Sequence, residues 1–190
     1  MAVMLLLFFA LLFVALAYFV RMYNGLVALR AGVQKAWSNI EVLLTQRHDE
    51  LPKLVETCKR YMAYEQETLE RVMNARAAVF KAQGSGDVAS LGAAEGQLRQ
   101  GLGRLFAVAE NYPELKADEG FGHLRTRISE LEEAIADRRE LYNEAVNLNN
   151  IRQQTFPDLI VARTFDFKQA SLLEFSAEEK RDVDLGKLFG

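Results

Sequence analysis

The sequence predicts an all-α fold in which an N-terminal transmembrane helix continues into a long antiparallel bundle of about four helices. Three observations carry that expectation. None of the chain's 49 charged Lys, Arg, Asp and Glu residues lies in the first 20 positions. Beyond that run, apolar residues recur at a 3-4 spacing through four long segments, the signature of helices with one stripe turned to a partner. Only three prolines occur in 190 residues, and all three stand near segment boundaries.

Residues 1–20 contain only Met, Ala, Val, Leu, Phe and Tyr. Twenty helical residues rise roughly 30 Å, the thickness of a bilayer's hydrocarbon core. Ala15-Leu16-Ala17 has the small-x-small form of a signal-peptidase site. A secretory signal wants a basic region ahead of its apolar stretch, however, and no Lys or Arg precedes this one. The expectation is an uncleaved anchor over 1–20, with the lipid bilayer as its partner. Arg21, Arg30 and Lys35 follow the run before the first acidic residue, Glu41. The positive-inside rule then places the folded part in the cytoplasm. A lone cysteine, Cys58, suits that reduced compartment and forms no intrachain disulfide.

The helical region is expected over 21–156. Segment 1 carries Leu26, Leu29, Val33, Ala36, Ile40 and Leu43 and continues directly out of the anchor. Asp49 and Pro52 are read as a boundary, with Asp49 as an N-cap. Segment 2 runs from Leu51 to Val79 and closes at Gly84-Ser85-Gly86. Segment 3 begins after a second N-cap, Asp87, and carries Leu91, Glu95, Leu98, Leu102 and Leu105. Gly92, Gly96, Gly101 and Gly103 weaken it by roughly 3–4 kcal/mol of helix propensity. Three of them, Gly92, Gly96 and Gly103, fall on one stripe, as close approach to a neighbouring helix would require. Segment 4 follows a third N-cap, Asp118, and carries Phe121, Leu124, Ile128, Leu131, Ile135 and Tyr142 before Phe156-Pro157. Residues 157–190 lose the periodicity but keep Phe165, Phe167, Phe175 and Phe189. They read as a tail, partly docked through phenylalanines and partly disordered.

Reactive constellations are absent from the pattern. A di-iron bundle needs Glu-x-x-His pairs, yet Thr45 precedes His48 and Gly120 precedes His123 at that spacing. His48-Asp49-Glu50 reads as solvated capping. Cys58 sits on an apolar stripe with no histidine at helical spacing. Gly84-Ser85-Gly86 lacks the Gly-Lys-Ser/Thr of a phosphate loop. The net charge of −3 and the lack of a clustered basic face argue against nucleic acid. No catalytic, cofactor or metal site is expected. The polar residues that fall on apolar stripes are Glu65, Arg76, Arg138 and Asn149. Polar groups in a helix seam are best known for fixing register.

Several stretches together resemble the LemA family of bacterial membrane proteins. They are Tyr23-Asn24-x-Leu26-Val27-x-Leu29-Arg30, Ala36-Trp37-Ser38-Asn39-Ile40, and Arg47-x-Asp49-x-Leu51-Pro52-x-Leu54-Val55-Glu56-Thr57. Glu65, Ala75-Arg76-Ala77, Glu110-x-Tyr112-Pro113-x-Leu115-Lys116-Ala117, Arg138-x-x-x-Tyr142-Asn143-x-Ala145-Val146 and Phe156-Pro157 follow in order. The resemblance covers about 21–162. It departs at Asn149-Asn150, where the family repeats Tyr-Asn, and in the C-terminal tail. It implies a single-pass protein of the bacterial inner membrane with a long helical domain facing the cytoplasm. The family has no established activity, and one branch is implicated in forming magnetosome membranes.

The functional expectation is therefore a membrane-anchored helical scaffold or adaptor, not an enzyme. It acts through protein–protein or protein–membrane contact. Its partner is a membrane or cytoplasmic protein, or a second copy of the chain. Glu65, Arg76, Arg138, Tyr142 and Asn143 would set register or receive that partner. The alternative is a ligand-sensing domain with a pocket among those polar residues.

Overall fold

A computed structural model describes residues 1–174. Among them are six helices and no strand: α1 (Ala2–Lys59), α2 (Gln66–Ser85), α3 (Val88–Ala109), α4 (Pro113–Lys116), α5 (Glu119–Gln154) and α6 (Asp158–Thr164). Phe175, Phe189 and the rest of the expected frayed tail lie outside the described residues.

The first helix differs from expectation. It does not stop at Asp49 but runs through Pro52 to Lys59, and the chain turns only over 60–65. Asp49 is therefore not an N-cap, and Leu51 to Cys58 belong to α1. Proline removes the hydrogen bond to the carbonyl four residues back, here that of His48. Arg76 on α2 fills the vacancy, its Nε donating to the His48 carbonyl at 2.9 Å. The other two caps stand as expected. Asp87 accepts from the Ala89 and Ser90 amides, and Asp118 accepts from the Phe121 amide at 2.8 Å. Hydrogen bonding to these backbone and side-chain donors holds both carboxyls below the usual carboxylate range.

The chain divides into two compact units. The first joins Met1–Ser38 to Glu140–Ser171. Residues 1–21 are all exposed in it. Among the described residues α1 is the one helix long and apolar enough to cross a membrane. Just past the span, Met22 and Leu26 pack on Val161 and Ala162 of α6, with Tyr23 and Phe167 at the edge. Farther along, Trp37 meets Tyr142 with ring centroids 5.4 Å apart.

The second unit joins Asn39–Arg139 to the segment beginning at Leu172. Its core comes from Ile40, Leu44, Leu51, Leu54 and Cys58 of α1, Leu69 and Val72 of α2, Leu91, Leu98 and Leu105 of α3, and Phe121, Ile128, Leu131 and Ile135 of α5. Arg47 pairs with Glu132, and Tyr61 with Asp118. Fourteen residues forward, from α1 to just past its end, thus match fourteen back, from α5 to just before its start, which makes the two helices antiparallel. α2 and α3 also run antiparallel: Val72 lies at Gly101 and Glu65 at Tyr112. The glycine stripe is used differently from expectation. A Cβ on Gly92 would stand 2.0 Å from the Glu174 carbonyl oxygen, so this glycine admits the returning tail and not a helix. Gly103 faces open space, and it is Gly101 that lies close to α2.

Candidate functional site

Arg47 lies at the centre of the second unit's polar core. The 4-3-4-3 progression Ile40, Leu44, Arg47, Leu51, Leu54 puts its side chain on the buried stripe of α1. It is 1 % exposed, and its guanidinium donates to Glu95 of α3, itself 3 % exposed, and to Glu132 of α5. Arg99 stands 3.7 Å from the second oxygen of Glu132. Two guanidiniums thus face two carboxylates. Burial works against the Arg47 charge, but Glu95 and Glu132 outweigh it and hold the proton more tightly. Burial pushes the Glu95 carboxyl up against the pull of Arg47. The cluster balances its own charge and ties three helices at one level. Arg47 and Glu132 were not singled out in the sequence. The signal was present, because extending segment 1 past Pro52 places Arg47 on the seam.

His48 occupies the neighbouring position, not a solvated cap. Arg76 Nη2 lies 2.6 Å from its Nε2, and the imidazole stacks on Phe80 with centroids 4.6 Å apart. A guanidinium only donates, so Nε2 is the acceptor and the ring proton sits on Nδ1. That Nδ1 is buried and has no partner among the described residues. Burial, then the Arg76 charge, lowers the proton affinity of His48, and Asp49 opposes them. Cys58 is fully buried and its thiol is pushed up to about 11 by desolvation, so it behaves as core.

A third group lies on the C-terminal half of α5 in the first unit. Tyr142 donates to the Ser171 carbonyl at 2.9 Å. Asn150 both donates to the Ala170 carbonyl and accepts from the Ala170 amide, as a neighbouring strand would. Gln153 bridges Asn149 and the Lys168 carbonyl. These side chains hold residues 168–171, which lie in no helix or strand and so have no backbone ladder of their own.

The five residues named from the sequence do not form one cluster. Glu65 precedes α2 and accepts from the Tyr112 hydroxyl at 3.4 Å. Arg76 joins His48, and Tyr142 joins the polar row on α5. Arg138 is exposed, which differs from its expected seam position, whereas Asn149 is buried. Asn143 is half-buried beside Tyr142 in the chain. An open groove of about 550 Å³ lies in the second unit. Val55, Lys59, Met62, Gln66, Leu69 and Met73 line it, and none of the five residues does. Among the described residues no group of three His, Cys, Asp or Glu could hold a metal.

The sequence model of the LemA family matches residues 36–185. The chain belongs to the LemA family. The match begins later than the sequence resemblance and extends through most of the tail. Within this LemA-family chain, 27 % of 175 aligned residues are identical to magnetosome protein MamQ 2 of Paramagnetospirillum magneticum, covering 80 % of this chain and 64 % of that protein. MamQ of Magnetospirillum gryphiswaldense is 24 % identical over 170 residues, covering 77 % of this chain and 62 % of the relative. Protein LemA of Metamycoplasma hominis is 28 % identical over 182 residues, 95 % of this chain and 82 % of its own length. The chain thus spans less than two thirds of the MamQ relatives it matches. None of these names denotes an enzymatic activity. Family, apolar helix and relatives together make this a membrane-associated helical protein.

Proposed function

We propose that this LemA-family protein is a single-pass, membrane-anchored helical scaffold or adaptor whose helical part faces the cytoplasm and works by contact. One observation carries the reading. The charged groups buried deepest in the helical core, Arg47 and Glu95, are spent on each other and on Glu132. Such a core ties three helices together beneath a fixed surface. Glu65, Arg76 and Tyr142 serve register in this reading, each tied to a neighbouring segment. Arg138 is left for a partner as an exposed cation. The basic flank Arg21, Arg30 and Lys35 supports the cytoplasmic orientation.

Crosslinking in intact membranes, followed by mass spectrometry, tests the adaptor reading. One or a few reproducible partners are expected. Recovery of abundant bulk membrane proteins alone would count against it. The 550 Å³ groove favours ligand sensing as the second reading, since it joins apolar Met62, Leu69 and Met73 to polar Lys59, Gln66 and Glu70. A thermal shift of the full-length protein with a small metabolite, abolished by Met73→Trp, would favour sensing over the adaptor.

A further inference from the structure

The first turns beyond the membrane span carry a second apolar surface. α6 docks on α1 through Val161 and Ala162, which meet Met22 and Leu26. These two residues follow Val20 by two and six positions. At about 1.5 Å per residue, they lie roughly 3–9 Å past the edge of the hydrocarbon core. The polar layer of a bilayer extends about 5–7 Å beyond that edge on each side. On a span that ends at Val20, α6 would sit in and just beyond the headgroup layer.

With Val161 and Ala162 turned inward, the opposite side of α6 and its flanks remain uncovered. Phe156 is 75 %, Ile160 56 % and Phe165 48 % exposed. The patch is continuous with the span, because the Phe165 ring packs 6.0 Å from Phe19 and 4.9 Å from Tyr23. Exposed Arg163 follows Ile160 by three positions on α6, and exposed Arg21 follows the span on α1. The acidic Asp158 on α6 is buried and paired with Arg152 at 2.9 Å. Aromatic residues with basic neighbours are what the bilayer interface accommodates best.

We propose that α6, with Phe156 and Phe165, forms a second membrane contact seated in the interfacial layer of the bilayer that residues 1–20 cross. Phe156, Ile160 and Phe165 enter the acyl–headgroup boundary, and Arg21 and Arg163 meet lipid phosphates. A transmembrane helix with no other contact turns freely about its own axis. A contact on one side of it fixes that rotation, and with it the face that the first unit offers to the cytoplasm. This inference rests on the span and is independent of the adaptor reading.

The test uses the full-length chain with Trp37→Phe, so that one introduced tryptophan reports alone. Phe156→Trp and Ile160→Trp report from the patch, Tyr18→Trp from the span, and Glu67→Trp from exposed α2. Each is reconstituted in phosphatidylcholine–phosphatidylglycerol vesicles with and without brominated phospholipid, and helicity by circular dichroism confirms folding. Quenching at positions 156 and 160 is expected to approach that at 18 and to exceed that at 67 several-fold, with parallel protection from acrylamide. Two results would overturn the proposal. One is quenching no greater than at 67, with full acrylamide access. The other is protection from acrylamide without bromolipid quenching, the pattern of a second copy or another protein covering the patch. If one patch variant misfolds, the other reads the same surface.

Discussion

Replacing Arg47 with leucine should be among the most damaging single changes to the helical core. The substitution keeps an apolar stem on the α1 stripe but removes the cation that faces Glu95 and Glu132. Glu132 is 20 % exposed and retains Arg99 at 3.7 Å. Glu95 is nearly inaccessible and keeps only the charge of Arg99 to offset its burial. Removing one partner of a buried ion pair costs about 3–5 kcal/mol. At about 1.4 kcal/mol per tenfold, this shifts the folding equilibrium by roughly two to three and a half powers of ten. Much of a domain's net stability of about 5–15 kcal/mol would be lost. The sign with pH follows from Glu95. Burial raises its proton affinity in the folded state, so folding takes up a proton there and lower pH favours the folded form. The penalty of Arg47→Leu should shrink as pH falls and Glu95 becomes neutral. Urea unfolding of the full-length protein in detergent, followed by circular dichroism, measures each of these effects. The double variant Arg47→Leu/Glu95→Leu should recover most of the loss. A single-variant cost below about 1 kcal/mol, or a double variant as damaged as the two singles summed, would refute the assignment of a self-compensating cluster.

Four further outcomes follow from the same packing. Gly92→Ala should destabilise by about 1–3 kcal/mol through overpacking and speed hydrogen exchange at Leu173, because its Cβ would meet the Glu174 carbonyl. Gly103→Ala, with open space around it, should instead stabilise by about 1 kcal/mol. Arg76→Met should cost about 1 kcal/mol by uncovering the His48 carbonyl. Pro52→Ala in that background restores a backbone donor, so a double-mutant cycle should show the two changes strongly coupled. Burial and Arg76 depress the proton affinity of His48, so the unfolded chain binds more protons near its ordinary pKa of about 6.5. Stability from this site should be complete above that pH and decline as pH falls toward the lower folded value. Comparing melting temperatures of the parent and His48→Gln across that window isolates it.

The helical class and the long apolar helix at the N-terminus were legible because charge and periodicity report directly on burial. The caps at Asp87 and Asp118 were legible because a side chain three residues from an amide is a local matter. Pro52 misled for the opposite reason. Its missing donor is local, but the group that compensates, Arg76, sits on another helix 24 positions along the chain. Ending segment 1 early then hid Arg47 from the seam. Gly92 was read correctly as a close approach and given the wrong partner, since periodicity says that something is near and not what it is. The row Tyr142, Asn150 and Gln153 was only partly visible. Its partners are backbone groups of residues 168–171, which carry no sequence signal. The short helices α4 and α6, of four and seven residues, are too brief to show a period.

A membrane-held helical surface that acts by contact should capture its partners in place. Site-specific photo-crosslinking of the full-length protein in living cells tests it most directly. A photoreactive phenylalanine analogue at exposed Tyr64 and Phe80 of the second unit would sample its surface, and one at buried Phe121 would serve as the silent control. The account predicts discrete, reproducible adducts from at least one exposed position and none from Phe121. Exposed positions as silent as the buried one, in cells where the protein is membrane-inserted and folded, would contradict it.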